Sequence, residues 1–505
     1  MKLSRYNLKN INPDVVTVPH ESLFELPEKV LQFGTGVLLR GLPDYFIDKA
    51  NREGKFNGRI VIVKSTGNGD ISDFDKQDGL YTQCVRGIQN GETIEENIIN
   101  SSVSRVLSAT EHWEQILECA HSQSLQIIIS NTTEVGIQLV NEDIRRHPPV
   151  SFPGKLLAFL FERFQAFGGS AHSGMVIIPT ELISDNGKKL ESIVLELAHL
   201  NSLDEEFIEW LENHNCFCSS LVDRIVPGKT NAETQAEIEK ILGYEDQLIF
   251  MSEVYRLWAI EGNEQVKNVL SFAAVDDGVV IAPDITIYKE LKIRLLNATH
   301  TLSCGLAFLS GLTTVKEAMD NENMFRFISE LMMHEIAPAI PCQISPSIVK
   351  DFALKVLDRF RNPMIKHQWI SITMQYSSKL KMRAVPLLLS HYEQHSSPPE
   401  LFSLGFAAYL FFTKPIRQEN EKFFGILNGK EYFINDESAS SFMKRWNNFT
   451  PPELVKDVLS DIGLWGEDLS GLPGFQESVL EKLNLIMNKG AKEAIDALQS
   501  KKVLV

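Results

Sequence analysis

Short runs of aliphatic and β-branched residues alternate with helix-like segments through the first half of the chain, and this alternation limits the fold more than any other feature. Residues 29–34 (KVLQFG) form an apolar run that ends in glycine. A helix-like stretch follows at 37–54, with Leu38, Tyr45, Phe46 and Ile47 among polar residues and with Pro43 near its start, as a first helical turn tolerates. Residues 59–65 (RIVIVKS) read as a second strand closed by TGNGD. Residues 125–133 and 174–182 read as further strands, and 111–122 as a helix before the first of these. Consecutive parallel strands need crossover helices, so the pattern predicts a mainly parallel, doubly wound α/β sheet.

Near residue 280 the texture changes to a period close to 3.6. Residues 317–333, 347–361, 401–413 and 475–499 read as helices, strand signals become rare, and Asn428-Gly429 suggests a turn in a small hairpin. The expected organisation is an N-terminal domain over 1–281 and a mostly α-helical substrate and catalytic domain over 282–505. The apolar run at 401–412 is too short for a bilayer, which takes about 20 residues, and reads as a buried helix. The first residues, MKLSRYNLKNINPD, lack the apolar core of a signal peptide. Six cysteines in 505 residues are too few for a disulfide framework, so free thiols in a reducing cytoplasm are expected. The formal net charge of −17 argues against a nucleic-acid partner, because a polyphosphate binder needs a basic face. It permits a small anionic substrate in a local basic pocket.

Gly34-Thr35-Gly36 stands between the first strand and the first helix. That is where a glycine turn lets the backbone approach a pyrophosphate at a helix N-terminus. The GxGxxG pattern is incomplete: Leu39 replaces its third glycine, and the next glycine is Gly41. The candidate dinucleotide segment comprises Val30, Leu31, Gln32, Phe33, Gly34, Thr35, Gly36, Val37, Leu38, Leu39, Arg40 and Gly41, within a Rossmann-like domain. Asn131, at the end of the third clear strand, is either a ribose neighbour or a strand-end cap. The second strand ends in Lys64-Ser65 with no acid to accept from ribose hydroxyls, and Asp70 is the first acid after it. Lys64 faces either a 2′-phosphate or solvent, which leaves NADP open beside NAD.

Lys292, Asn297 and His300 lie in a helical pattern. At about 100° per residue, Asn297 falls about 140° and His300 about 80° from Lys292, so one broad face holds all three. A lysine can exchange a proton with a carbonyl or hydroxyl oxygen. Asn and His can donate hydrogen bonds to the same oxygen as charge develops. Periodicity alone equally allows a solvated lysine, a surface asparagine and an interior histidine.

QFGTGVLLRG (32–41), LYTQCVRG (80–87), SNTTEVGI (130–137), FPGKL (152–156), LVDRIVPG (221–228), KIRLLNATHT (292–301) and RFRNPMIKHQ (359–368) span most of the chain. In that order they resemble the polyol-specific long-chain dehydrogenase/reductase family, which includes mannitol dehydrogenases and hexuronate reductases. The resemblance implies a metal-independent oxidoreductase using NAD (NADH), with Lys292 as general acid/base beside Asn297 and His300. Its hexuronate branch is the nearer likeness, implying interconversion of D-tagaturonate and D-altronate in hexuronate (galacturonate) catabolism. Polyol-oxidising relatives carry an Asp-Asn pair at Glu181-Leu182, an aspartate at His367 and an arginine at Ser371, whereas Lys379 matches the family's later lysine. Asp223 matches a family acid, or forms a structural ion pair. Asp223, Lys366, His367 and Lys379 are the candidate substrate contacts.

Overall fold

The computed structural model describes residues 1–502 apart from 66–69, 133–135 and 229, and only the backbone of 498–502. The glycines after the second strand and the middle of SNTTEVGI therefore lie outside the described residues. The chain forms two compact units, one of residues 1–87 and 93–285, the other of residues 88–92 and 286–505.

The first unit is built on six parallel strands: β1 (Glu28–Phe33), β2 (Arg59–Lys64), β3 (Val103–Ser108), β4 (Ile127–Ser130), β5 (Val176–Pro179) and β6 (Cys216–Phe217). Their order is β3-β2-β1-β4-β5-β6, the doubly wound dinucleotide-binding order. Alternate residues point to opposite faces. Val30, Ile60, Ile62, Ile127 and Ile129 join one apolar core, and Leu31, Phe33, Val61, Val63 and Ile128 join another. A parallel sheet covered on both sides has no polar face, which explains the unbroken apolar runs.

The helix-like stretch after β1 is two helices, α1 (Val37–Gly41) and α2 (Pro43–Arg52). Leu42 between them leaves helical geometry, and Pro43 opens α2 rather than interrupting a single helix. Two small sheets supplement the main one. Strands Tyr81–Gln89 and Glu92–Asn100 join Phe250–Glu253, and Leu257–Glu261 lies between Ser220–Asp223 and Val279–Ala282.

The second unit is mostly helical. Thr286–Leu291, Lys292–Ala298 and α3 (Thr299–Leu309) run on as one helix whose middle is π-helical. Further on come α4 (Tyr376–Arg383), α5 (Glu400–Phe412) and α6 (Phe475–Lys489). α5 is buried along almost its whole length and packs against α3 and α6. A Cβ on Gly405 would lie 2.5 Å from the Leu302 carbonyl oxygen, so only glycine allows α3 and α5 this approach. Asn428 and Gly429, both at positive φ, turn the strand Lys422–Leu427 into Lys430–Ile434, as a two-residue hairpin requires. The helix expected over 475–499 breaks at Gly490, whose φ of 91° ends α6.

Candidate active site

In the first unit, β1 and β4 are neighbours that start from the point where the strand order reverses, and their ends carry Gly34 and Asn131. Gly34 has φ 132°, and a Cβ there would meet Leu39 Cδ1 at 2.8 Å and the Asn131 carbonyl oxygen at 3.0 Å. Gly36 is different: it is exposed, and among the described residues nothing lies within 4 Å of the Cβ position. That open cradle fits a dinucleotide's pyrophosphate, which needs direct approach to backbone N–H groups.

The rest of the predicted segment shapes this turn. Val30, Leu31, Gln32, Phe33, Leu39, Arg40 and Gly41 are buried, which leaves Gly34, Thr35, Gly36, Val37 and Leu38 with surface. Arg40 donates to the Leu248 carbonyl at 2.8 Å and lies over the rings of Phe74, Tyr81 and Phe250. Beneath it, burial pushes the Asp44 carboxyl up to about 7, against hydrogen bonds from Tyr81 and Gln32. Asn131 caps: its amide donates to the Thr180 carbonyl at 3.1 Å and hydroxyl at 3.0 Å. Glu181 is buried, accepts from the Thr132 backbone N–H at 2.8 Å and hydroxyl at 3.0 Å, and so holds Thr132 just after β4. Lys64, at the end of β2, is 8% exposed. Asp223 ends a strand of this first unit and is also buried.

In the second unit, Lys292 and Asn297 occupy the π-helical stretch Lys292–Ala298. The α-helical angle of about 140° between them does not apply, because i→i+5 hydrogen bonding stacks residues five apart along the axis. The two side chains therefore share a side more closely than the sequence suggests, and both are partly exposed. Arg294 clamps this stretch: it pairs with Glu290 at 2.9 Å and donates to the carbonyls of Met382 and Arg383 at the end of α4.

His300 is buried. Its ring centroid lies 4.0 Å from Phe360, 5.2 Å from His367 and 5.7 Å from Trp369. Nδ1 has no hydrogen-bond partner among the described residues. Desolvation holds the imidazole well below its usual pKa, and His367, Arg359, Arg383 and Lys379 push in the same direction. Burial thus favours the neutral ring, which retains one N–H to donate. His367 is half-buried and lowered for the same first reason, with Arg359 and Lys379 adding to it. Its carbonyl accepts from the Val315 N–H at 2.9 Å, which ties this segment to residues 313–315. Lys379 donates to the Ile372 carbonyl at 2.9 Å. Lys366 is exposed.

The structure thus gathers Lys292, Asn297, His300, His367 and Lys379 in one unit and places Asp223 in the other. Sequence reasoning missed Arg359 and Arg383. The signal for Arg383 was its position four residues after Lys379, one helical turn on.

A pH dependence arises from His300. Its folded pKa is below that of the unfolded chain, near 6.5. Above that value the imidazole is neutral in both states and its contribution to stability is fully present. As pH falls below 6.5 the unfolded chain takes up a proton that the native ring refuses, and stability is lost at up to about 1.4 kcal/mol per pH unit. His300→Asn is expected to show a shallower loss of thermal stability between pH 6.5 and 5 than the wild type. Identical slopes in calorimetric melts would show that the ring titrates alike in both states.

Two family models cover most of the chain: the mannitol dehydrogenase Rossmann domain over 28–273 and the mannitol dehydrogenase C-terminal domain over 284–487. The chain is 39% identical to an altronate oxidoreductase of Bacillus subtilis over 476 residues, covering 94% of this chain and 95% of that one. An altronate oxidoreductase of Halalkalibacterium halodurans is 36% identical, with 94% of both chains covered. Mannitol 2-dehydrogenase of Pseudomonas fluorescens, solved as a ternary complex with NAD and D-mannitol, superposes with a TM-score of 0.66 at 22% identity, covering 99% of this chain and all of that one. A substrate-free D-sorbitol dehydrogenase superposes with a TM-score of 0.78 at 20% identity, covering 98% of this chain and all of that one. By the family models and by these near full-length relatives, the chain belongs to the mannitol dehydrogenase family.

Proposed function

We propose that this chain is an NAD-dependent oxidoreductase that interconverts D-tagaturonate and D-altronate. The observation that carries the reading is the 39% identity, across 94% of the chain, to a protein named altronate oxidoreductase. The cation-rich surroundings of His300 and His367 support a carboxylate-bearing substrate over a neutral polyol. The open turn at Gly34–Gly36 would receive the dinucleotide's pyrophosphate, and the dinucleotide would supply or accept the hydride.

The residues of the second unit manage the oxygen. In reduction the Lys292 ammonium gives a proton to the oxygen of the ketone as it gains negative charge; in oxidation the Lys292 amine takes a proton from the hydroxyl. Asn297 donates a hydrogen bond to that oxygen, and the neutral His300 ring has one N–H to add. NADH is the expected cofactor, and buried Lys64 is the residue that keeps NADPH in the test. The place of action is the cytoplasm; among the described residues no helix is long and apolar enough to cross a membrane.

The test is NADH and NADPH oxidation by the purified protein with tagaturonate, fructuronate and fructose. Tagaturonate should give the highest kcat/KM. Preference for fructuronate or fructose would move the chain to another branch of its family. Tight NADH binding without turnover of any of them would make it a dinucleotide sensor.

A further inference from the structure

We infer that Arg383, together with Lys379 four residues earlier on α4, forms the subsite that receives the carboxylate of the substrate. The inference rests on the hexuronate reading above and gives it a place.

Residues i and i+4 lie on one side of a helix, so α4 presents both cations together. They act electrostatically on buried His300, which places them beside the proposed chemistry. Arg383 donates to the Thr301 hydroxyl at 3.1 Å, and that hydroxyl donates to the Asn297 carbonyl at 2.8 Å. The guanidinium is therefore two hydrogen bonds from the backbone of a proposed catalytic residue. Both cations are substantially buried, and desolvation pulls both below their usual pKa. Among the described residues neither has a carboxylate within ion-pair distance.

Asp436 acts on Lys379 from beyond ion-pair distance, yet a partly buried cation with no directly paired carboxylate is still costly, and an anionic ligand removes that cost. A guanidinium has five N–H donors in a fixed fork, of which Thr301 takes one. The remaining donors suit a carboxylate, which accepts two parallel hydrogen bonds from such a fork. Exposed Lys366 lacks this desolvated setting. The backbone of Arg383 is held separately, through its carbonyl and Arg294, so changing its side chain leaves the end of α4 anchored.

The experiment is steady-state kinetics of the full chain with tagaturonate and NADH, for wild type, Arg383→Met, Arg383→Lys and Lys379→Met. Arg383→Met should raise KM for tagaturonate by about 10²-fold, the scale of a lost charged hydrogen-bonding pair, with a smaller change in kcat. Arg383→Lys keeps the charge but not the fork and should fall between. Added guanidinium ion should lower the KM of Arg383→Met. An unchanged KM in Arg383→Met, or a lowered kcat and melting temperature that guanidinium does not restore, would overturn the subsite while the hexuronate reading stands. If the wild type turns over no hexuronate, that reading falls and the subsite falls with it.

Discussion

Lys292→Ala is expected to lower turnover of tagaturonate at least about 10²-fold, the usual scale for losing a general acid/base, while NADH binding changes little. The size reflects the role. Hydride transfer to a ketone leaves an alkoxide unless a proton arrives with it, and Lys292 is the proton donor in the proposed mechanism. Asn297 and His300 would still stabilise the charged oxygen, so the variant should keep residual activity. Single-turnover NADH oxidation, with cofactor affinity measured by fluorescence titration, separates chemistry from binding. Turnover near that of the wild type would remove Lys292 from the mechanism.

Gly36→Val should weaken NADH binding at least tenfold, about 1.4 kcal/mol, in a protein that still folds. Gly36 has φ −65°, which valine adopts readily, and among the described residues nothing lies within 4 Å of its Cβ position. The side chain meets no described protein atom there but stands where, in the proposed site, a pyrophosphate would approach the backbone. Gly34→Val is the contrast, because φ 132° and the 2.8 Å approach of Leu39 make any side chain a burden on folding itself. A melting curve and a binding isotherm for each variant tell the two glycines apart. Unchanged affinity in Gly36→Val would move the cofactor site elsewhere.

The parallel sheet was legible because a strand buried on both faces must be apolar at every position, as RIVIVK in β2 nearly is. Strands 81–89 and 92–100 were not read as strands: the second, ETIEENIIN, is largely exposed and carries the charges of a loop. The break at Leu42 was hidden because a proline at the start of a second helix looks the same in sequence as one in the first turn of a longer helix. Lys292, Asn297 and His300 were singled out by family resemblance, since residue type and spacing left them open, and the π-helical hydrogen bonding between them has no residue-type signature. Arg383 stayed hidden because a cation on a polar helix looks solvated. Only the fold shows that it is partly buried with no carboxylate within ion-pair distance among the described residues.

The π-helical stretch also makes the helix of Lys292, Asn297 and His300 sensitive to chain length. Its wider turn accommodates one more residue than an α-helical path would over the same rise. Deleting one residue between 293 and 296 would let the segment relax to i→i+4 pitch with its flanks still in phase, whereas inserting one more would turn the helix beyond it by about 100° relative to the helix before it. α3 cannot absorb that rotation, because the Leu302 carbonyl sits against Gly405 with no space for a Cβ between them. Either the lysine would leave its place or the helix crossing would open. Substitutions at 293, 295 and 296 and single deletions face no such geometric veto, so insertions should be what this helix refuses.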